Sequence, residues 1–127
     1  MARILVAEAD EALRRVLCLL LRRAGHQAEG VADGAEAMAA LRDPVARALG
    51  WDVLLADLGL PPGRPGAPDA PALANLAARQ APHLHVLMFA GFAAMPLAPP
   101  AGPHPRIPSK PIHLRELPRQ IDRILAA

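Results

Sequence analysis

The sequence predicts an α/β protein with a doubly wound parallel sheet of five strands in the order 2-1-3-4-5. Three observations carry this. Short apolar runs bounded by turn residues recur at residues 3–7, 53–56 and 84–89, as strands buried on both faces require. Segments of helical apolar spacing separate them, and this alternation argues for parallel strands joined by helical crossovers. Right-handed crossovers make 2-1-3-4-5 the natural order. The third observation is Asp57, delivered by the apolar run 53–56 to the carboxyl end of its strand. In open parallel sheets, ligands and chemistry collect at that edge. Asp57 is therefore a candidate nucleophile or metal ligand, or, in the plainer reading, a loop cap.

The elements follow in order. Arg3–Ala7 (Arg-Ile-Leu-Val-Ala) reads as a central strand. Asp10 suits the N-cap of the next helix, and Glu11 suits the positive end of its dipole. Leu13, Val16, Leu17, Leu20 and Ala24 form its expected buried stripe, and Gly25 its C-terminal cap. Gln27–Val31 reads as a weak strand near the sheet edge. Asp33-Gly34 makes a turn, residues 35–41 are helical by propensity, Pro44 limits that helix, and residues 45–50 add a further turn. Trp51 is a packing residue where the third strand begins, and Gly59 and Pro61 end that strand.

A first proline cluster, residues 61–71, reads as an extended, semi-rigid loop beside Asp57. Asp69 caps a helix running to about Gln80, with Pro71 in its first turn. The fourth strand spans residues 84–89. Five prolines between Pro96 and Pro105 leave the fourth helix of the alternation short or missing, a turn at residues 92–95 at most. Residues 106–109 read as a fifth, edge strand because of Pro108. Leu114, Leu117, Ile121 and Ile124 describe a C-terminal helix, in which Pro118 makes either an irregular first turn or a bend.

At 127 residues the chain is expected to be a single domain, 1–127, with no output domain. A net charge of +2, spread along the chain, gives no case for nucleic acid. The aromatic residues, Trp51, Phe89 and Phe92, build no platform for stacking bases. No apolar stretch reaches membrane-spanning length, and the early acids Glu8, Asp10 and Glu11 do not fit a signal peptide. A lone Cys18 allows no internal disulfide, so a cytoplasmic location is expected. The five histidines show no metal-ligand spacing.

Three features converge at the carboxyl ends of strands one, three and five: the acidic turn at Glu8 and Asp10, Asp57, and Lys110. Clustered carboxylates there would hold Mg²⁺, one carboxylate would attack a phosphoryl group, and a lysine would neutralise developing charge. The pieces Ile4-Leu-Val-Ala-Glu8, Asp52-Val-Leu-Leu-Ala-Asp57 with Pro61 beyond it, and Ser109-Lys110-Pro111 resemble the receiver domains of bacterial two-component response regulators, with their flavodoxin-like fold. Gly91-Phe-Ala-Ala94, the proline-bearing segment after it, and His113-Leu-Arg-Glu-Leu117 are similar to the CpdR-type single-domain receivers of alphaproteobacterial cell-cycle phosphorelays.

The resemblance implies Asp57 as phosphoacceptor, Lys110 as the lysine that neutralises phosphoryl charge, and Glu8, Asp10, Asp57 and the Gly59 carbonyl as the Mg²⁺ set. It also implies losses. Ala9 stands where a second direct metal ligand is usual, which weakens the site. Ala90 stands at the hydroxyl switch position and Ile107 at the aromatic one, so both switch positions are degenerate. The implied partners are a histidine phosphotransferase or histidine kinase, the ClpX unfoldase and the substrates of its protease. The expected partner surface is Phe92, Met95, Ile112, His113, Leu114 and Arg115.

The reading that joins these points is a degenerate receiver acting as an adaptor in CpdR-like control of proteolysis. Its alternatives are a phosphorylation-competent, Mg²⁺-dependent receiver and a constitutive interaction module unrelated to proteolysis. An enzyme is not expected, since no second acid–base pair and no Gly-rich phosphate loop is present. The end Leu125-Ala-Ala127 resembles a degron read by ClpX, or is ordinary helix fraying.

Overall fold

The computed structural model describes residues 1–89 and 116–126. Its elements are β1 (Arg3–Ala7), α1 (Glu11–Arg23), β2 (Gln27–Val31), α2 (Gly34–Arg42), α3 (Pro44–Leu49), β3 (Val53–Asp57), α4 (Ala70–Gln80), β4 (His85–Phe89) and α5 (Leu117–Ala126). Among the described residues the sheet has four strands in the order β2-β1-β3-β4, all parallel. The fifth strand expected at 106–109 and the turn expected at 92–95 lie outside the described residues.

Strand alternation divides the core into two layers. Leu5, Leu54, Val86 and Met88 face α2 and α4, meeting Ala37, Leu41, Leu73 and Ala77. Ile4, Val6, Val53, Leu55, Leu87 and Phe89 face α1 and α5, meeting Leu17, Leu21, Leu117 and Ile121. Because β1, β3 and β4 are covered on both sides, they read as unbroken apolar runs. The edge strand β2 buries only Ala28 and tolerates Glu29 and Gly30. Leu117 and Ile121 are fully buried, and together they hold α5 to the sheet by roughly 3–6 kcal/mol.

Local chemistry sets the helix ends. Asp10 accepts the Leu13 N–H at 3.0 Å, Asp33 that of Glu36 at 2.8 Å, Asp43 that of Ala46 at 3.0 Å and Asp69 that of Ala72 at 3.0 Å. α1 ends in a Schellman motif, with Gly25 at φ +95°, its N–H on the Arg22 carbonyl and the His26 N–H on Leu21. The buried stripe of α1 differs from the expected one. Leu17, Cys18 and Leu21 are buried, while Val16 is 39 % exposed and Ala24 is exposed at the C-cap. β2 lies on the Cys18 side of the helix, with Gly30 against the Cys18 sulfur, and this rotates the contact arc away from Val16. α5 begins at Leu117, so Pro118 occupies its first turn, where no N–H is needed.

The first proline cluster is a fitted strap. The Gly34 and Ala35 N–H groups donate to the carbonyls of Pro61 and Pro62 at 2.8 and 2.9 Å. These are N-terminal donors of α2, which would otherwise lack partners. A Cβ at Gly34 would overlap the Pro68 carbonyl, and one at Gly63 would overlap the Asp33 carboxylate, so glycine is needed at both contacts. The strap therefore ties the chain just beyond β3 to the start of α2.

Candidate acidic site at the carboxyl edge of the sheet

β1 and β3 are neighbours with Ala7 paired to Ala56, so the next residues, Glu8 and Asp57, emerge side by side. Glu8 is the buried charged residue among those described, at 3 % exposure. Its N–H continues the ladder to the Val31 carbonyl at 3.0 Å, and its Oε2 accepts the Asp10 N–H at 3.2 Å. The Glu8 and Asp57 carboxyls lie close enough that the Asp57 charge raises the proton affinity of Glu8.

Both acids are pushed above the usual carboxylate range. For Glu8 the main cause is burial, with the Asp57 and Asp10 charges adding to it and the Asp10 and Ala9 N–H groups opposing. For Asp57 it is again burial, opposed by the Gly59 N–H and by the Glu8 side chain. A turn fixes Asp57 from behind, with the Leu58 N–H on the Phe89 carbonyl and the Leu60 N–H on that of Asp57.

The expected Mg²⁺ set is only partly assembled. Glu8 and Asp57 come together, with Gly59 next to the Asp57 carboxyl. Asp10 does not join them. Its carboxylate is exposed and engaged as the N-cap of α1, and among the described residues no group of three His, Cys, Asp or Glu side chains is placed to hold a metal. The physical reason is one of register. With Ala9 directly after Glu8, the next acid falls at the start of the helix, where its strongest local partner is a backbone N–H. Two carboxylates remain, a minimal donor set of the kind Mg²⁺ takes while keeping several waters.

One residue escapes a sequence reading. Arg14 turns back from α1 and donates from Nη1 to the carbonyls of Glu8 at 2.9 Å and Ala9 at 3.5 Å, clamping the acidic turn. Its only sequence signal is its place one helical turn beyond Asp10. Lys110, the switch positions Ala90 and Ile107, and the expected partner surface (Phe92, Met95, Ile112, His113, Leu114, Arg115) lie outside the described residues. Trp51, close to Asp57 in sequence, sits at the opposite, amino edge of the sheet, roughly 20 Å away along the strand. There it is buried, its Nε1 donates to the Ala40 carbonyl at 3.3 Å, and the Arg3 guanidinium lies 4.6 Å from the ring centre. No described helix is long and apolar enough to cross a membrane.

No family model matches the chain. Response regulator receiver protein CpdR of Brucella abortus (strain 2308) is 34% identical over 129 residues, covering 100% of this chain and 99% of that protein. Among solved structures, a response regulator receiver protein from Sinorhizobium medicae WSM419 matches 99% of this chain and 95% of its own, at 25% identity and TM-score 0.79. A chain from the crystal structure of histidine kinase ThkA in complex with response regulator protein TrrA matches at 17% identity and TM-score 0.74, covering 98% of this chain and 99% of its own, and shows a shared fold.

Proposed function

The chain belongs to the response regulator receiver family, and on that premise we propose that it works as a degenerate receiver, a non-enzymatic adaptor in CpdR-like control of proteolysis. The observation that carries this reading is the acidic site. Its second acidic position is Ala9, the nearest substitute, Asp10, is engaged as a helix cap, and only Glu8 and Asp57 remain side by side. A site reduced to two carboxylates holds a divalent cation less tightly than one with three, so phosphoryl transfer is slow and the unphosphorylated form dominates. In a CpdR-type adaptor that form is the active one. The full-length likeness to CpdR supports the adaptor role.

Within this reading Asp57 is the residue that would take a phosphoryl group. Its carboxylate oxygen would form the new P–O bond as the donor's P–N bond breaks, with the electron pair leaving on the donor imidazole. Glu8 and Asp57 would hold Mg²⁺, which when bound neutralises phosphoryl charge. The Gly59 N–H steadies the Asp57 carboxyl, and Arg14 holds the turn that aims Glu8. Lys110 and a fifth strand at 106–109, beside β4, complete the proposed edge. The donor would be a histidine phosphotransferase or kinase, and the delivery target the ClpX unfoldase with its substrates. A phosphorylation-competent receiver is the alternative favoured by the survival of the Glu8–Asp57 pair.

Pulldown of purified ClpX by the full chain, with and without a small phosphodonor, tests the role. Capture unchanged by the donor and by Asp57→Ala supports the constitutive adaptor. Capture lost on donor treatment, and only with Asp57 present, supports the competent switch. Absence of capture from every form overturns the adaptor role.

A further inference from the structure

The amino edge of the sheet, roughly 20 Å along β3 from Asp57, carries a cavity that the receiver chemistry does not use. It encloses about 160 Å³ between α2, α3 and α4. Its floor is apolar, formed by Leu41, Trp51, Ala77 and Leu84, none more than 7 % exposed. The Trp51 Nε1–H is already bonded to the Ala40 carbonyl, so the indole offers the floor a hydrocarbon surface and no unmet donor. The rim is polar, formed by the exposed side chains of Arg47, Gln80 and His83. Among the described residues none of the three has an ion pair or a side-chain hydrogen bond.

Size and charge together specify an occupant. An apolar cavity of roughly 150 Å³ accepts a single six-membered ring. A guanidinium at its mouth favours a carboxylate, which it can bind through two parallel N–H···O bonds. We propose that this cavity is a binding site for a small monocarboxylate with a single-ring or similarly sized hydrocarbon body, the ring on the Trp51 floor and the carboxylate at Arg47. The amide of Gln80 and the imidazole of His83 supply further polar partners at the rim. The site does not depend on the acidic pair, because the two lie at opposite ends of the sheet.

Benzoate is a suitable probe, and Trp51, the chain's single tryptophan, reports on the floor. The full chain is titrated with benzoate while the Trp51 indole N–H signal is followed by NMR. A ligand of this size gives a Kd on the order of millimolar. The expected result is a saturable shift, weakened about tenfold by Arg47→Gln and about tenfold for the neutral analogue benzyl alcohol, since both remove one charge-assisted contact. Asp57→Ala should bind as the parent does. Arg47 is exposed on α3, so its replacement leaves the core intact. No saturable shift into the tens of millimolar range would overturn the proposal. So would equal binding of benzoate to the parent and Arg47→Gln.

Discussion

Replacing Glu8 by glutamine should stabilise the protein at neutral pH. Glu8 is 3 % exposed and lies beside a second acid, so the native state must either retain a proton or hold two like charges together. Glutamine keeps the shape and can donate to Asp57 without that proton. Desolvating an incompletely compensated charged group costs about 1–3 kcal/mol, so Glu8→Gln should gain about 1–2 kcal/mol. For a domain of this length that is roughly 3–6 °C in Tm per kcal/mol. The sign with pH follows from both acids having folded values raised above the unfolded range near about pH 4. Above about pH 4 the native state binds more protons than the unfolded one. The wild type therefore loses stability as pH rises from there through the raised values, and Glu8→Gln should lose less. Thermal melts of both proteins from about pH 4 to about pH 8 measure this. A variant less stable at every pH, or a gap that does not widen with pH, would refute the paired-acid account.

Two further substitutions test the frame around the site. Gly34→Ala drives a Cβ into the Pro68 carbonyl and breaks the bonds from α2 to Pro61 and Pro62, and urea unfolding should show a loss of about 2–4 kcal/mol. Gly25→Ala, where nothing lies within 4 Å, should cost only about 1 kcal/mol for its positive φ and serves as the comparison. Arg14→Met removes the donor to the Glu8 and Ala9 carbonyls, and should cost about 1 kcal/mol and speed hydrogen exchange at the Asp10 amide.

Much of this arrangement is legible in the chain itself. β1 falls where its apolar run places it and β2 at the weak strand read over Gln27–Val31, and α4 starts after Asp69 and ends at Gln80 as its cap and periodicity require. The meeting of Glu8 with Asp57 follows from strand order, since adjacent parallel strands bring their carboxyl ends together. What the sequence conceals depends on contacts distant along the chain. The rotation of α1 is set by Gly30 across the β2 interface, and the strap's shape by carbonyls that find the first turn of α2. Asp10 is legible as a cap or as a ligand, and only the observed Leu13 contact separates the two. Trp51 sits where the sequence places it, packed at the start of β3.

The central claim is that the acidic site of this receiver is too poor in carboxylates to be readily phosphorylated. The most direct measurement is intact-mass spectrometry of the full chain incubated with a small phosphodonor and Mg²⁺, beside Ala9→Asp and Asp57→Ala. The account predicts little or no added phosphoryl mass on the wild type, a clear gain when Ala9→Asp restores the missing carboxylate, and none on Asp57→Ala. Ready, Mg²⁺-dependent modification of the wild type that disappears in Asp57→Ala would contradict it.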